Sequence, residues 1–417
     1  PQPPTTNHQP PIPSPPMRQT WTFYSAGQLL FGRGAAAQLG VEATRMGLKR
    51  LLVVTDRSLV GAGLLTAIAE PLAAVGVAIE VFDGGVPEPS LDVVDRCLEQ
   101  AQAVKPDGLL GLGGGSNMDL TKAAAAVLSH GGTIRDYVGE DRVPGPVLPL
   151  ICVPTTAGTG SEVTAASVLT DTANQIKVGV LSNYLRPRLA LVDPLLTVSC
   201  PRKVTADSGI DALTHAVEAY TAVDNEHFPL PPGERSVYQG RHPLADCLAE
   251  KAIDLIGRYL PRAVEAPGDL EARENMALGA TLAGLAFSNV GVALVHAMEY
   301  PVGGATHCSH GAGNGLLLPF VMRFNLPARL PHFARVARLL GEDVSGLSET
   351  AAAERAVTAV ERLKAAIGIP DRLRDLGVTR EQLPLFAEKT LGIKRILRVN
   401  PRTVTTAEVL GIFEEAW

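Results

Sequence analysis

Short apolar runs alternate with helix-like segments through the first half of the chain, and this alternation restricts the fold more than any other feature. The apolar runs are residues 51–55, 79–82, 108–112, 148–154 and 189–193. Three segments with apolar residues at helical spacing lie between the first four of these runs. They are residues 61–75, 91–104 and 120–128. Buried strands that are joined by helices pair in parallel, with helices on both faces of the sheet. The alternation therefore predicts a doubly wound, mostly parallel α/β domain, which an edge strand within 21–31 begins.

From Thr205 onward the strand pattern stops, and long segments rich in alanine and leucine predict an all-α domain. We place the boundary so that the α/β domain spans residues 20–203 and the helical domain spans residues 204–417. Residues 1–16 contain eight prolines and no apolar stretch. We therefore expect residues 1–19 to form a disordered proline-rich tail and not a signal peptide.

One stretch, from Met276 to Met298, carries no formal charge and is long enough to span a bilayer. It contains Thr281, Asn289 and His296, and it lacks runs of leucine, isoleucine or phenylalanine. We therefore expect one buried helix of the helical domain, ending near His296, and no membrane partner.

Composition excludes two further classes of protein. The 417 residues are 46% hydrophobic and 19% charged, which is typical of a globular protein and not of a disordered one. With 37 basic and 43 acidic residues the net charge is −6 and no basic block occurs, so we expect no nucleic-acid partner. The five cysteines form no Cys-x-x-Cys pair, which favours a reducing compartment: the cytoplasm, or the mitochondrial matrix in a eukaryote.

Two loops rich in glycine and hydroxyl groups follow successive predicted strands. Gly113-Gly114-Gly115-Ser116 lies between a strand and a helix, where free backbone N–H groups attract a phosphate. The spacing is not Gly-x-Gly-x-x-Gly, and an ordinary tight turn is the alternative. The second loop spans residues 154–162 and contains Thr155, Thr156 and Thr159. Together the two loops favour a nucleotide-binding crevice at the ends of the strands.

Asp56 directly follows the apolar run at 51–55. An acid at this place can accept hydrogen bonds from a ribose diol and repel a 2′-phosphate, which favours NAD over NADP. The alternative is that Asp56 caps the N-terminus of a helix that starts at Arg57.

One carboxylate and three imidazoles in the helical half can together form a metal site. Asp211 and His215 are four residues apart in an apolar helical segment, so both project from one face. His296 lies in the uncharged stretch, and His310 lies in a glycine-rich one. Such a set suits Fe²⁺, Zn²⁺, Ni²⁺ or Mn²⁺ and leaves a position for a substrate. For each histidine alone, a hydrogen-bonded core residue is the alternative.

Five motifs in this order resemble those of the iron-containing (group III) alcohol dehydrogenases. They are Gly113-Gly114-Gly115-Ser116-x-x-Asp119-x-x-Lys122, residues 154–162, Asp211-x-x-x-His215-Ala216-x-Glu218-x-Tyr220, Ser288-Asn289-x-Gly291 with His296, and His310-Gly311. The resemblance runs from about residue 31 to the C-terminus. It implies an NAD-binding domain, a helical domain with catalytic iron, hydride transfer to or from a small alcohol, aldehyde, hydroxyacid or oxoacid, and a homodimer.

The resemblance also implies a role for individual residues. Asp211, His215, His296 and His310 match the metal ligands and are the predicted catalytic residues. The predicted cofactor contacts are Gly114, Gly115, Ser116 and Asp119 at the pyrophosphate, Thr155, Thr156 and Thr159 toward the nicotinamide, Lys177, and Asp56 at the ribose. Zn²⁺ or another divalent metal is the alternative to Fe²⁺.

Two positions depart from the common pattern of this family. Tyr300 stands where many members have a histidine thought to relay a proton, and Glu88 stands where many have an asparagine. Both changes make the chain more similar to the hydroxyacid-oxoacid transhydrogenase branch, which transfers hydride on a tightly held nicotinamide. His307 is a candidate for the missing proton relay, with an ordinary loop histidine as the alternative. A lyase similar to dehydroquinate synthase is a more distant alternative, and we find no lysine and arginine cluster of the kind that it needs.

Overall fold

A computed structural model of the chain describes residues 18–174, 176–230 and 234–417. The strands are β1 Gln28–Phe31, β2 Arg50–Val54, β3 Ala78–Phe82, β4 Gly108–Gly113, β5 Gly139–Glu140, β6 Leu150–Pro154, β7 Ala166–Asp171, β8 Ile176–Leu181 and β9 Leu189–Val192. Helices of the first half are α1 Leu39–Arg45, α2 Arg57–Gly61, α3 Leu64–Ala74, α4 Leu91–Val104 and α5 Gly115–His130. The proline-rich tail predicted for residues 1–19 lies almost wholly outside the described residues.

Six strands of the first half form one parallel sheet in the order β1-β9-β6-β4-β2-β3. Successive side chains of a strand point to opposite faces, so the continuous apolar run of β2 supplies both faces. Leu52 and Val54 belong to one buried cluster, with α4 and α5, whereas Leu51 and Val53 belong to another, with α1 and α3. The predicted doubly wound parallel sheet is therefore confirmed.

The sheet brings the two glycine-rich loops together at one edge. β4 and β6 are neighbours and pair in register, with Gly113 opposite Pro154. The backbone N–H of Thr155 then donates to the carbonyl of Gly113 over 3.0 Å. Because parallel strands end on the same side of a sheet, both loops leave it side by side.

A second, three-stranded sheet in the order β5-β8-β7 was not predicted from the sequence. β7 and β8 form an antiparallel hairpin that places Lys177 opposite Thr170. Both residues line the cavity described below. Burial alternates along β7, but hydrophobicity in the sequence does not, because the buried side chains are Ser167, Leu169 and Asp171.

The second half is helical throughout its described elements, as predicted. Its helices are α6 Arg202–Thr221, α7 Pro243–Glu265, α8 Leu270–Val290, α9 Leu294–Thr306, α10 His310–Asn325, α11 Leu330–Leu339, α12 Glu349–Ala366, α13 Leu383–Gly392, α14 Lys394–Leu397 and α15 Thr406–Ala416. They pack around one large apolar cluster. The last strand ends at Val192 and α6 begins at Arg202, while the exact domain boundary between 203 and 204 stays a prediction.

The single uncharged helix predicted for 276–298 is wrong, because the stretch is broken into α8 and α9. The break begins at Gly291, which has a φ of +116° that side-chain-bearing residues rarely adopt, and the two helix axes bend by 103°. His296 therefore lies in the first turn of α9 and does not end a helix. Within the described residues no single helix is long and apolar enough to cross a membrane, although the bent pair passes a test of length and composition.

Candidate active site

Asp211, His215 and His296 lie together in the interior of the protein. Asp211 and His215 project from one face of α6, and both are at most 5% exposed. The Oδ2 atom of Asp211 is 3.9 Å from His215 Nδ1, and its Oδ1 atom is 3.8 Å from His296 Nε2. One potential ligand atom from each of the three residues lies within 4.8 Å of the others. This triad has the size and donor types of a divalent metal site.

His310, the fourth predicted ligand, begins α10 beside the triad. Its ring centroid is 5.3 Å from that of His296. Close packing of α10 on α6 determines this position, since a Cβ on Gly311 would lie 2.0 Å from the carbonyl oxygen of Asp207. Ser309 caps α10 and also donates from its hydroxyl to Asp207 Oδ2 over 2.5 Å.

The triad residues have the unpaired ligand atoms and the pKa shifts that suit metal ligands. His215 Nδ1 and His296 Nε2 are buried and have no hydrogen-bond partner among the residues that the structure describes, which is unfavourable unless another group satisfies them. Burial lowers the pKa of His215 to about 3, so its imidazole is neutral near pH 7 and has a lone pair to donate. Burial alone would raise the pKa of Asp211, but its charged and hydrogen-bonding neighbours outweigh burial and hold this pKa below its ordinary value. The structure thus fits a bound divalent metal.

Carboxylates behind the histidines orient their rings. Glu218 is 4% exposed, and its Oε2 atom is 2.6 Å from His296 Nδ1. The same carboxylate accepts hydrogen bonds from the backbone N–H groups of Ala293 and Val295, at the start of α9. Because Glu218 occupies Nδ1, the Nε2 atom of His296 is the one that faces Asp211.

Two adjoining cavities connect this triad with the glycine-rich loops. The first is lined by all four predicted ligands and by Gly115, Ser116, Asp119, Thr159 and Lys177. The second is lined by Asp56, Gly114, Ser116, Thr155 and Thr156. Ser116, in the first turn of α5, lines both cavities. A long ligand that crosses the N-terminus of α5 at Ser116 could therefore reach the triad from the second cavity.

The two loops approach each other closely at Gly115. A Cβ on Gly115 would lie 2.7 Å from the side chain of Thr159, which is too close, whereas one on Gly114 would lie 3.5 Å from Thr156 Oγ1, an ordinary contact distance. Both loops border the cavities as predicted, and the cofactor contacts of their individual residues stay predictions.

Asp56 and Asp119 make protein contacts that sequence analysis left open or did not foresee. Asp56 caps α2, with Oδ1 accepting from the backbone N–H groups of Ser58 and Leu59, and its Oδ2 accepts from the amide of Asn117. The capping alternative is therefore present, and its contact with a ribose stays a prediction. Asp119 accepts from the Ser161 hydroxyl and from the backbone N–H of Val168, so it joins α5 to the second loop.

Lys177 lies on β8 between two carboxylates. Its Nζ atom is 2.8 Å from Glu88 Oε1 and 3.6 Å from Glu299 Oε1. Burial alone would lower the pKa of Lys177, but these two carboxylates raise it above its ordinary value, so the ammonium keeps its charge. The position of Lys177 in the wall of the first cavity leaves its predicted cofactor contact open.

Tyr300 and His307 lie in different places relative to the first cavity. Tyr300 lines the first cavity, with its ring centroid 6.3 Å from that of His310. His307 caps the C-terminus of α9 with a left-handed φ of +54° and is not among the residues that line the described cavities. A role for His307 in proton transfer stays a prediction that the geometry does not favour.

Three polar residues without a predicted role contact the predicted ligands. They are Glu218, Glu299 and Asn314. Each lies three or four residues after a predicted ligand of its own helix. A polar side chain at that spacing in an otherwise apolar helix lies on the ligand-bearing face and could have been found from the sequence.

The parallel sheet with its glycine-rich loops, the helical half and the buried Asp-His-His triad fit a metal-dependent oxidoreductase of the dehydrogenase class. The family model described as "Iron-containing alcohol dehydrogenase" matches residues 26–194, and "Fe-containing alcohol dehydrogenase family, C-terminal" matches residues 234–417. The chain belongs to the iron-containing alcohol dehydrogenase family, and it is an enzyme.

Named relatives support this membership over nearly the whole chain. The NAD-dependent methanol dehydrogenase of Bacillus methanolicus is 38% identical over 394 residues, which cover 94% of this chain and 99% of the relative. The 1,3-propanediol dehydrogenase of Klebsiella pneumoniae is 38% identical over 93% of this chain and 96% of its own length. A crystal structure of 1,3-propanediol oxidoreductase superposes with a TM-score of 0.90 at 37% identity, covering 96% of this chain and all of that one.

Proposed function

We propose that this enzyme transfers hydride between a small, uncharged alcohol or aldehyde and NAD, with one divalent metal held by Asp211, His215, His296 and His310. The observation that carries the proposal is the buried Asp-His-His triad in the wall of a cavity that adjoins a second one at Ser116. Fe²⁺ is the proposed metal, as in the family description, and Zn²⁺ would accept the same ligands.

The chain's own residues would hold the reactants. The backbone at the start of α5 and the hydroxyl of Ser116 would bind the pyrophosphate of NAD, and Thr159 would lie toward the nicotinamide. A metal in the triad supplies Lewis-acid chemistry toward a substrate oxygen, and nicotinamide accepts or gives the hydride. Phe287, Val292 and Tyr238 line the same cavity, and such side chains exclude water around the reacting atoms.

The charges of the first cavity favour an uncharged substrate. Lys177 is the only lysine or arginine among its lining residues in the described chain, and Glu88 and Glu299 already neutralise it. Apart from the proposed metal, a substrate carboxylate would therefore find no unpaired lysine or arginine among the described residues that line this cavity. This argues for an alcohol and against a hydroxyacid, and so against the transhydrogenase branch.

A matched pair of substrates tests the proposal. After anaerobic loading with Fe²⁺ or Zn²⁺, we expect NADH to form from NAD and 1,4-butanediol at a higher kcat/KM than from NAD and 4-hydroxybutyrate. In Glu88→Gln, which removes one carboxylate from Lys177, the ratio should shift toward 4-hydroxybutyrate by about tenfold, or about 1.4 kcal/mol. If the metal-loaded enzyme oxidises no alcohol with NAD, the proposed function is wrong.

The transhydrogenase alternative has a test of its own. The enzyme would be given 4-hydroxybutyrate and 2-oxoglutarate with no added NAD. We expect no product. If 2-hydroxyglutarate forms at a rate comparable to alcohol oxidation, the enzyme is a transhydrogenase that keeps its nicotinamide bound.

We also propose that the enzyme is a cytoplasmic homodimer. β1 is the outer strand of the sheet in the described chain, and its Leu29 is 41% exposed, so an apolar strand edge is available for a second copy. The described cysteines are free thiols, as expected in a reducing compartment. Light scattering on the purified chain would give twice the 43.8 kDa of one chain if the dimer forms.

A further inference from the structure

Glu299 is a fully buried carboxylate in contact with a predicted metal ligand. It lies on α9, is 0% exposed, and its Oε2 atom is 2.5 Å from Nδ1 of His310 on α10. A buried carboxylate is costly unless charged or hydrogen-bonding groups compensate it. His310 and Lys177 are the compensating groups here, and both line the first cavity.

Two glycines make room for this carboxylate between the helices. A Cβ on Gly303 would lie 2.3 Å from Glu299 Oε1, and a Cβ on Gly313 would lie 2.8 Å from Glu299 Cγ. Gly303 is on α9 and Gly313 is on α10, so both helices are shaped around the same side chain. Glu299 is thus built into the packing of the two helices that carry His296 and His310.

The contacts of His310 determine which ring nitrogen carries the proton. An ionised carboxylate only accepts hydrogen bonds, so His310 Nδ1 must donate to Glu299. The other nitrogen, Nε2, is 3.1 Å from the amide nitrogen of Asn314, which is a donor, so the Nε2 lone pair accepts this hydrogen bond and a metal at the triad would take the place of the amide. The same amide nitrogen donates to Asp211 Oδ1 over 2.8 Å, which places Nε2 on the side of the triad.

We propose that Glu299 is a positioning residue, which holds His310 in the Nδ1–H form with its Nε2 lone pair directed at the triad and so completes the metal site. This inference rests on the proposed function. It adds a residue that no motif of the sequence analysis includes. Through its other oxygen, 3.6 Å from Lys177 Nζ, Glu299 also connects the fourth ligand to the charged wall of the substrate cavity.

Glu299 is a cleaner position for a test than Glu218, the equivalent carboxylate behind His296. Glu218 also satisfies two backbone N–H groups at the start of α9, so its loss would disturb the helix itself. Glu299 contacts only side chains among the described hydrogen bonds and ion pairs, so its substitution acts on His310 and Lys177.

The test measures metal affinity, not turnover. The full-length wild type, Glu299→Gln and Glu299→Ala would be prepared metal-free, and the dissociation constant for Zn²⁺ would be measured by competition with a chromophoric chelator. Loss of such an outer-shell partner weakens metal binding by about 10–100-fold, and we expect this for both variants. The melting temperature of metal-free Glu299→Gln, which keeps the shape of the side chain, should stay within a few degrees of wild type. Glu42→Gln, at a buried carboxylate on α1 that pairs with Arg45, is the control and should bind Zn²⁺ as wild type does.

The outcomes separate this inference from the proposed function. If wild type binds no divalent metal, the proposed function itself fails. If wild type binds tightly and both Glu299 variants bind equally tightly, only the role of Glu299 is wrong. A lower melting temperature with an unchanged dissociation constant would also contradict the inference, because it would mean that Glu299 serves packing alone.

Discussion

Lys122 is the largest fully buried side chain of the described protein, and its replacement by methionine should destabilise the fold strongly. Its Nζ atom, which has three N–H groups, lies within hydrogen-bond distance of four oxygens: the carbonyl of Ser161 (2.7 Å), the Ser161 hydroxyl (2.8 Å), the Thr164 hydroxyl (3.1 Å) and the carbonyl of Ala166 (2.9 Å). These contacts attach the second glycine-rich loop to α5, directly behind the first. Lys122 therefore holds the two predicted cofactor loops in their relative positions.

The expected loss follows from the charges that would be left behind. Asp119 Oδ1 is 4.0 Å from Lys122 Nζ, and burial raises the pKa of Asp119 while it lowers the pKa of Lys122, so each ionised group depends on the other. Breaking a buried pair by removing one partner costs about 3–5 kcal/mol, and because the Asp119 side chain is 15% exposed we expect the loss to lie near the lower end of this range. Methionine keeps most of the volume of the side chain, so little of this loss would come from a cavity.

The assay is urea unfolding of the metal-free wild type, Lys122→Met and a control, Lys251→Met. Lys251 is 55% exposed and pairs with Asp254 at 3.0 Å, so its substitution should change the free energy of unfolding by less than about 1 kcal/mol. Loosening of the loop should also raise the dissociation constant for NADH in Lys122→Met. If Lys122→Met loses no more stability than the control, the argument from the buried pair is refuted.

Two further predictions concern backbone conformation and pH. Gly160→Ala should lower the free energy of unfolding more than Gly346→Ala does. Both glycines have a positive φ, at +62° and +72°, but a Cβ at 160 would lie 2.5 Å from the Cα of Gly284, whereas no atom of the described residues lies within 4 Å of a Cβ at 346. Equal losses in urea unfolding would contradict this. His242 accepts a hydrogen bond from the backbone N–H of Ala245 through Nδ1, and burial lowers its pKa to about 4 from an unfolded value near 6.5. Its contribution is therefore fully present above about pH 6.5 and decreases by about 1.4 kcal/mol per pH unit as the pH falls toward 4. His242→Asn, which can still cap the helix, should lose less stability than wild type over that range, and parallel pH profiles of the two proteins would refute the assignment.

The inner part of the parallel sheet could be predicted from the sequence because β2, β4, β6 and β9 are buried on both faces and read as continuous apolar runs. Leu91–Val104 was predicted to the residue, since its apolar positions recur at helical spacing. The hairpin of β7 and β8 could not be found in this way. Its residues are half-buried, and the burial that distinguishes them comes from packing against α5 and not from local pattern.

The triad was predictable only in part. The spacing of Asp211 and His215 on one helix is local information, and this spacing by itself indicates a shared face. The approach of His296 depends on the bend after Gly291, which joins two helices that composition alone presents as one. The role of Glu299 depends on the packing of α9 against α10, and no sequence spacing connects residues 299 and 310.

Anomalous diffraction at the iron absorption edge, from crystals of the full chain grown anaerobically with Fe²⁺ and NAD, tests the account most directly. We predict one anomalous peak per chain, in contact with Asp211, His215, His296 and His310 and next to the nicotinamide ring. A peak elsewhere, or a nicotinamide bound away from these four residues, would contradict the account.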